Sequence, residues 1–168
     1  MLNNWTPLLS LAVMMICVLL LLGGGLHDLI ARSIPNAIPA AVTLLGIAAR
    51  LINGEVVGAV VAGFLVFVSA VFCWRRGWLG GGDVKLLAAA AIALPPVSVL
   101  PFIAAVAIAG GLLALIYLAA RPLTSSRLAT RPAGLFARAL RVERWRIGRG
   151  GPLPYACAIA AGFVFAIL

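Results

Sequence analysis

The 168 residues are 64% hydrophobic and only 10% charged, with a mean hydropathy of +1.18, which excludes a water-soluble globular domain of ordinary composition. Long runs of Leu, Ala, Val and Ile also exclude a disordered tail or a disulfide scaffold. Thirteen Lys and Arg against four Asp and Glu give a net charge of +9. Eight of those cations fall between positions 121 and 149 beside apolar segments, the pattern of a cytoplasmic loop near anionic lipid, so a nucleic-acid partner is not expected. The fold class implied is an all-α, polytopic membrane protein, a single membrane-embedded unit over 1–168.

A spanning helix needs about 20 apolar residues, and 8–26 is an uncharged run of that size ending at His27-Asp28. Nothing after it resembles a cleavage site, so a removable signal peptide is not expected. After the polar insertion 27–33, apolar character resumes over 34–52 and again over 56–74, separated by Asn53-Gly54-Glu55. The segment 86–120 carries no charge and is too long for one span; Pro95, Pro96 and Pro101 predict an external turn dividing it in two. The long polar loop 121–151 precedes a last short span over 152–168, for six transmembrane helices in all. Within that loop, 135–147 mixes Leu, Phe, Val, Trp and Ile with Arg at helical spacing, which fits an interfacial helix or, equally, a solvated basic loop.

Placing both termini outside puts the loops 27–33, 75–85 and 121–151 in the cytoplasm with twelve of the thirteen basic residues, leaving only Arg50 outside. The three cysteines, Cys17, Cys73 and Cys157, lie far apart in apolar stretches and form no CxxC pair, so buried packing is expected and no metal site. His27 has no partner at metal spacing, and no glycine-rich nucleotide fingerprint suggests a cofactor.

Ionisable groups in or beside a span are costly and mark candidate function. Of the four acids, Glu55 in an external turn and Glu143 among arginines are explained by solvated ion pairing. Asp28 and Asp83, separated by two spans, return to the same face and are able to meet. Two carboxylates a few Å apart share one proton, leaving one as base toward a common water. Structural alternatives remain: Asp28 and Arg32 are spaced for a local i,i+4 ion pair, and Asp83 after three glycines is placed to cap a helix.

Asp28-Leu29-Ile30-Ala31-Arg32-Ser33-Ile34-Pro35-Asn36 resembles the first aspartate motif of type IV prepilin peptidases. Leu79-Gly80-Gly81-Gly82-Asp83-Val84-Lys85-Leu86 resembles their second, the GxGD signature. Leu153-Pro154-Tyr155-Ala156 is similar to the family's Pro-Tyr-Gly segment, with Ala156 in place of the glycine. The resemblance implies a membrane aspartic endopeptidase, a hydrolase of the bacterial inner membrane that removes the leader of prepilins at the cytoplasmic face during type IV pilus biogenesis. It implies catalytic Asp28 and Asp83, with Gly80, Gly82, Lys85, Pro35, Asn36, Pro154 and Tyr155 shaping the site. Lys85 is expected to snorkel to the interface, and Asn36 to cap or shape the start of the second span. Expected partners are prepilin or pseudopilin helices, membrane lipid and other pilus-assembly proteins.

Larger relatives insert a four-cysteine cytoplasmic domain and methylate the new N-terminus; the lack of that insert resembles the short Flp or tight-adherence subclass, without methyltransferase activity. A catalytically silent scaffold, or a small channel or transporter relaying protons through Asp28 and Asp83, is the competing reading. A presenilin-like protease shares the GxGD signature, but Ile34-Pro35-Asn36 favours the prepilin branch.

Overall fold

The computed structural model of the protein describes residues 6–123 and 135–168, and all of the regular structure among them is helical. Helix α1 (Thr6–Ala31) runs for 26 residues, past the expected end at residue 26. His27 and Asp28 are polar but satisfy the backbone ladder like any other residue, so polarity alone does not stop the helix. It ends at Arg32, whose φ of +53° is left-handed and whose N–H donates to the Asp28 carbonyl at 2.8 Å, the usual closing geometry of a helix C-terminus.

Helices α2 (Ala37–Ile52) and α3 (Val56–Arg75) are joined by a tight link with Gly54 at φ +72°. Helix α4 (Gly81–Ala93) is short, and a 3-10 turn (Pro96–Ser98) separates it from α5 (Val99–Ala120), so 86–120 does divide at Pro95 and Pro96. Pro101 lies not in the turn but inside the first turn of α5, where the missing N–H removes no helical hydrogen bond. Of the two alternatives for 135–147, the helix is found, as α6 (Leu135–Gly148); α7 (Tyr155–Ile167) follows Pro152 and Pro154.

Helix α4 is the axis of the bundle, touching α1, α2, α3 and α7. Alanines 88–91 and 93 on it are buried, and small side chains let the surrounding helices close in. The Cβ that Gly46 of α2 lacks would lie 2.7 Å from the Ala93 Cα. Beside this axis, Leu21, Leu86, Phe102, Ile159 and Phe163 are fully buried, and Phe102 and Phe163 meet edge to face with ring centroids 6.3 Å apart.

The outside of the bundle is as apolar as its inside: Leu19, Phe64, Ile108 and Leu115 are each more than 60% exposed. Such a surface calls for an apolar surround of the kind a bilayer provides. Three helices are long and apolar enough to cross a membrane, 7–31, 56–75 and 96–120; α2 and α7 are shorter apolar helices.

The two ends of the bundle differ. One gathers the N-terminus of α1, the C-termini of α2 and α7, and a buried Arg50 paired with Glu55 at 2.8 Å. The other gathers the C-terminus of α1, the N-termini of α4 and α7, and α6.

Candidate active site

Asp28 sits in the last turn of α1 and is 8% exposed. Asp83 sits in the first turn of α4. Both line one cavity of about 520 Å³, together with Arg32, Gly80, Tyr155 and the 77–79 segment that leads into α4. The aspartates are close enough for the charge of one to act on the other, and the backbone amide of Ala156 at the start of α7 faces Asp28.

Asp83 does not cap α4 in the way the sequence allowed. Gly80 holds the N-cap position and Asp83 is three residues further on, with its Oδ2 accepting from the Gly80 N–H at 3.2 Å. That bond anchors one carboxylate oxygen to the helix end, while Oδ1 is buried with no hydrogen-bond partner. Such an oxygen is costly unless it takes up a proton or meets a ligand. A Cβ at Gly80 would stand 2.8 Å from Asp83 Oδ2 and displace that carboxylate.

The local Asp28–Arg32 ion pair does not form. Arg32 Nη2 instead bonds Glu143 Oε1 on α6, a partner 111 residues away. Glu143 is therefore not a solvated surface acid. It also accepts from the Tyr117 hydroxyl of α5 and from Arg146 Nη1 at 3.2 Å. Arg146 in turn donates to the carbonyls of Leu29 at 3.0 Å and Ile30 at 3.4 Å, satisfying acceptors that the end of α1 leaves open. The basic loop helix is thus fastened to the helix end that carries Asp28.

Residues 11–115 match the family model described as the type IV leader peptidase family. The chain belongs to this family. No curated protein and no solved structure matches it. Both aspartates of the leader peptidase lie within the matched residues, whereas α6 and the 153–156 segment lie beyond them.

The other expected site residues of the peptidase divide between cavity wall and support. Gly80 and Tyr155 are in the wall. Gly82 packs on Ile34, whose Cβ a methyl at Gly82 would approach to 3.2 Å. Pro154 is fully buried in front of α7, and exposed Pro35 ends the extended link to α2.

Asn36 occupies the N-cap position of α2 without a side-chain capping bond; its Oδ1 accepts from Lys85 Nζ at 3.0 Å. Lys85, itself exposed, thereby links α4 to α2. Ala156, where the family has glycine, is fully buried, and the small residue at this crossing is Gly25, whose absent Cβ would meet the Cys157 Cα at 3.3 Å. Close packing of α1 and α7 is thereby retained from the α1 side.

Sequence reasoning placed Arg32 beside Asp28 but missed its partner Glu143, and missed Tyr117 and Arg146 as site neighbours. The available signal was Glu143 itself, one acid among arginines on a mixed apolar and basic helix. Among the described residues no three His, Cys, Asp or Glu side chains gather as a metal would need.

Proposed function

We propose that this leader peptidase is a short-form aspartic endopeptidase that cuts the leader from type IV, Flp-like prepilins, with Asp28 and Asp83 activating a water. The observation that carries the reading is the meeting of these two carboxylates on one cavity at one end of the bundle. One carboxylate ionised and one protonated is the state two close acids favour. The ionised one takes a proton from water as its oxygen adds to the peptide carbonyl carbon, and the protonated one gives its proton to the carbonyl oxygen. Collapse of the resulting diol breaks the C–N bond, and a proton passes to the leaving amine.

Six spans with both termini outside fit the reading, with α2, α4 and α7 as the short ones. The cavity end carries Arg75, Arg76, Arg121 and the arginines of α6, and the opposite end carries Arg50. A bacterial inner-membrane protein so oriented presents its site to the cytoplasm, where a prepilin's basic leader meets its apolar stalk. No N-methylation is proposed, because no cytoplasmic insert separates α1 from α2.

The test is co-expression with candidate prepilins and a gel-mobility assay of leader removal in membranes, beside Asp28→Asn and Asp83→Asn made at equal levels. Shortening by the wild type and loss in both variants is expected. Cleavage by either variant rules out the shared-water mechanism, and a wild type that cuts no prepilin favours a scaffold role.

A further inference from the structure

We infer that Glu143 is a positioning residue of the peptidase: held on α6, it draws the Arg32 guanidinium away from Asp28 and so keeps the aspartate pair free to share a proton. The inference rests on the aspartic-protease reading of the site. Arg32 is four residues after Asp28, the spacing at which a carboxylate and a guanidinium ordinarily pair, and both side chains line the same cavity. The pairing nevertheless goes to Glu143. The backbone turn at Arg32, φ +53°, is an uncommon conformation for a side chain other than glycine and accompanies that redirection.

Glu143 is well fixed for this task. Its side chain is 13% exposed, and it is held by Tyr117 from α5 and by Arg146 from its own helix, while Arg146 grips the Leu29 and Ile30 carbonyls. The groups acting on Asp28 are therefore Arg32 after α1, Arg146 and Glu143 from α6, Asp83 from α4, and the Cys157 thiol from α7. Tyr155 of α7 stands beside Asp83. Two guanidiniums and one carboxylate leave one net positive charge beside the aspartate pair. Without the Glu143 charge there are two, and Arg32 is released to close on Asp28. A guanidinium paired with Asp28 would hold it ionised and occupy the oxygen that must face water.

The experiment measures leader cleavage against pH for wild type, Glu143→Gln, Glu143→Asp, Arg32→Gln and the double variant Arg32→Gln/Glu143→Gln, all in membranes. Glu143→Gln is expected to move the alkaline limb of the profile down by roughly one pH unit, since an adjacent cation favours the ionised carboxylate. Activity on that limb then falls about tenfold. Glu143→Asp should restore most of the limb, and in the Arg32→Gln background the second substitution should move it much less, by the direct effect of the Glu143 charge alone. An unmoved limb in Glu143→Gln, or a shift that is undiminished without Arg32, overturns the inference.

A second readout needs no substrate. A hydrophobic carbodiimide modifies protonated carboxyls, and Asp28 is the only acid in the sequence up to Arg32, so peptide mass spectrometry after tryptic digestion reports its labelling alone. Labelling of Asp28 in Glu143→Gln should be lost at lower pH than in the wild type. Labelling that follows the wild type overturns the inference, even where no prepilin is cut. Shifted labelling without wild-type cleavage supports the Glu143 role and condemns the protease reading alone.

Discussion

Gly80→Ala probes the aspartate site with one methyl group. Gly80 has φ −75° and ψ 149°, open to any residue, so alanine meets no backbone strain. The added Cβ would lie 2.8 Å from Asp83 Oδ2, against 3.4 Å for ordinary contact, so the carboxylate must retreat by about 0.6 Å and strain its bond to the Gly80 N–H. A misplacement of about 1 Å costs on the order of a hundredfold in rate, and we expect Gly80→Ala to lose roughly 10- to 100-fold at normal protein levels. Gly81→Ala is the control: its Cβ would find only Trp74 Nε1 at 3.6 Å and should leave the rate near wild type. Initial rates of prepilin shortening in membranes, at matched enzyme amounts, measure both. Full activity in Gly80→Ala, or an equal loss in Gly81→Ala, would refute the assignment of Gly80 to the Asp83 carboxylate.

Two further predictions concern the bundle. Gly46→Ala forces α2 and α4 apart, because 2.7 Å to the Ala93 Cα is about 1 Å inside normal carbon contact; overpacking costs about 1–3 kcal/mol against a helix-propensity gain of about 1 kcal/mol. Gly23→Ala has nothing within 4 Å and keeps only the gain, so unfolding in mixed micelles should rank Gly46→Ala below Gly23→Ala, and equal stabilities would sink the packing argument. Glu55→Gln leaves Arg50, 2% exposed, without its charge partner; discounted for the 44% exposure of Glu55, the loss should be about 1–2 kcal/mol in the same assay. The double variant Arg50→Met/Glu55→Gln should recover most of that loss.

What could be read from the sequence was whatever is local. Pro95 and Pro96 remove adjacent donors, so the break between α4 and α5 was legible, and two spans between Asp28 and Asp83 were enough to return both to one end. Polarity misled at the end of α1, where His27 and Asp28 suggested an exit from the membrane while the backbone continued to Ala31. Pro101 misled for the opposite reason, since proline is a breaker only beyond the first turn. The Arg32–Glu143 and Lys85–Asn36 pairs join residues 111 and 49 positions apart. Their meeting depends on how α6 docks and how α4 lies against α2, which no local periodicity encodes.

Helix α4 has 13 residues, about 20 Å of rise, against roughly 30 Å of hydrocarbon. From Leu86 to Ala93 its residues are buried except Ile92, which is partly so, so that stretch is surrounded mainly by protein. Hydrophobic mismatch acts on the outer helices, which can tilt as a bilayer thickens or thins. The depth of Asp83 is fixed instead from within, by the alanine contacts that seat α4 among its neighbours. The carboxylate is carried on a post whose height is set by protein contacts, and under the proposed function it is the substrate that has to bring its scissile bond to that level.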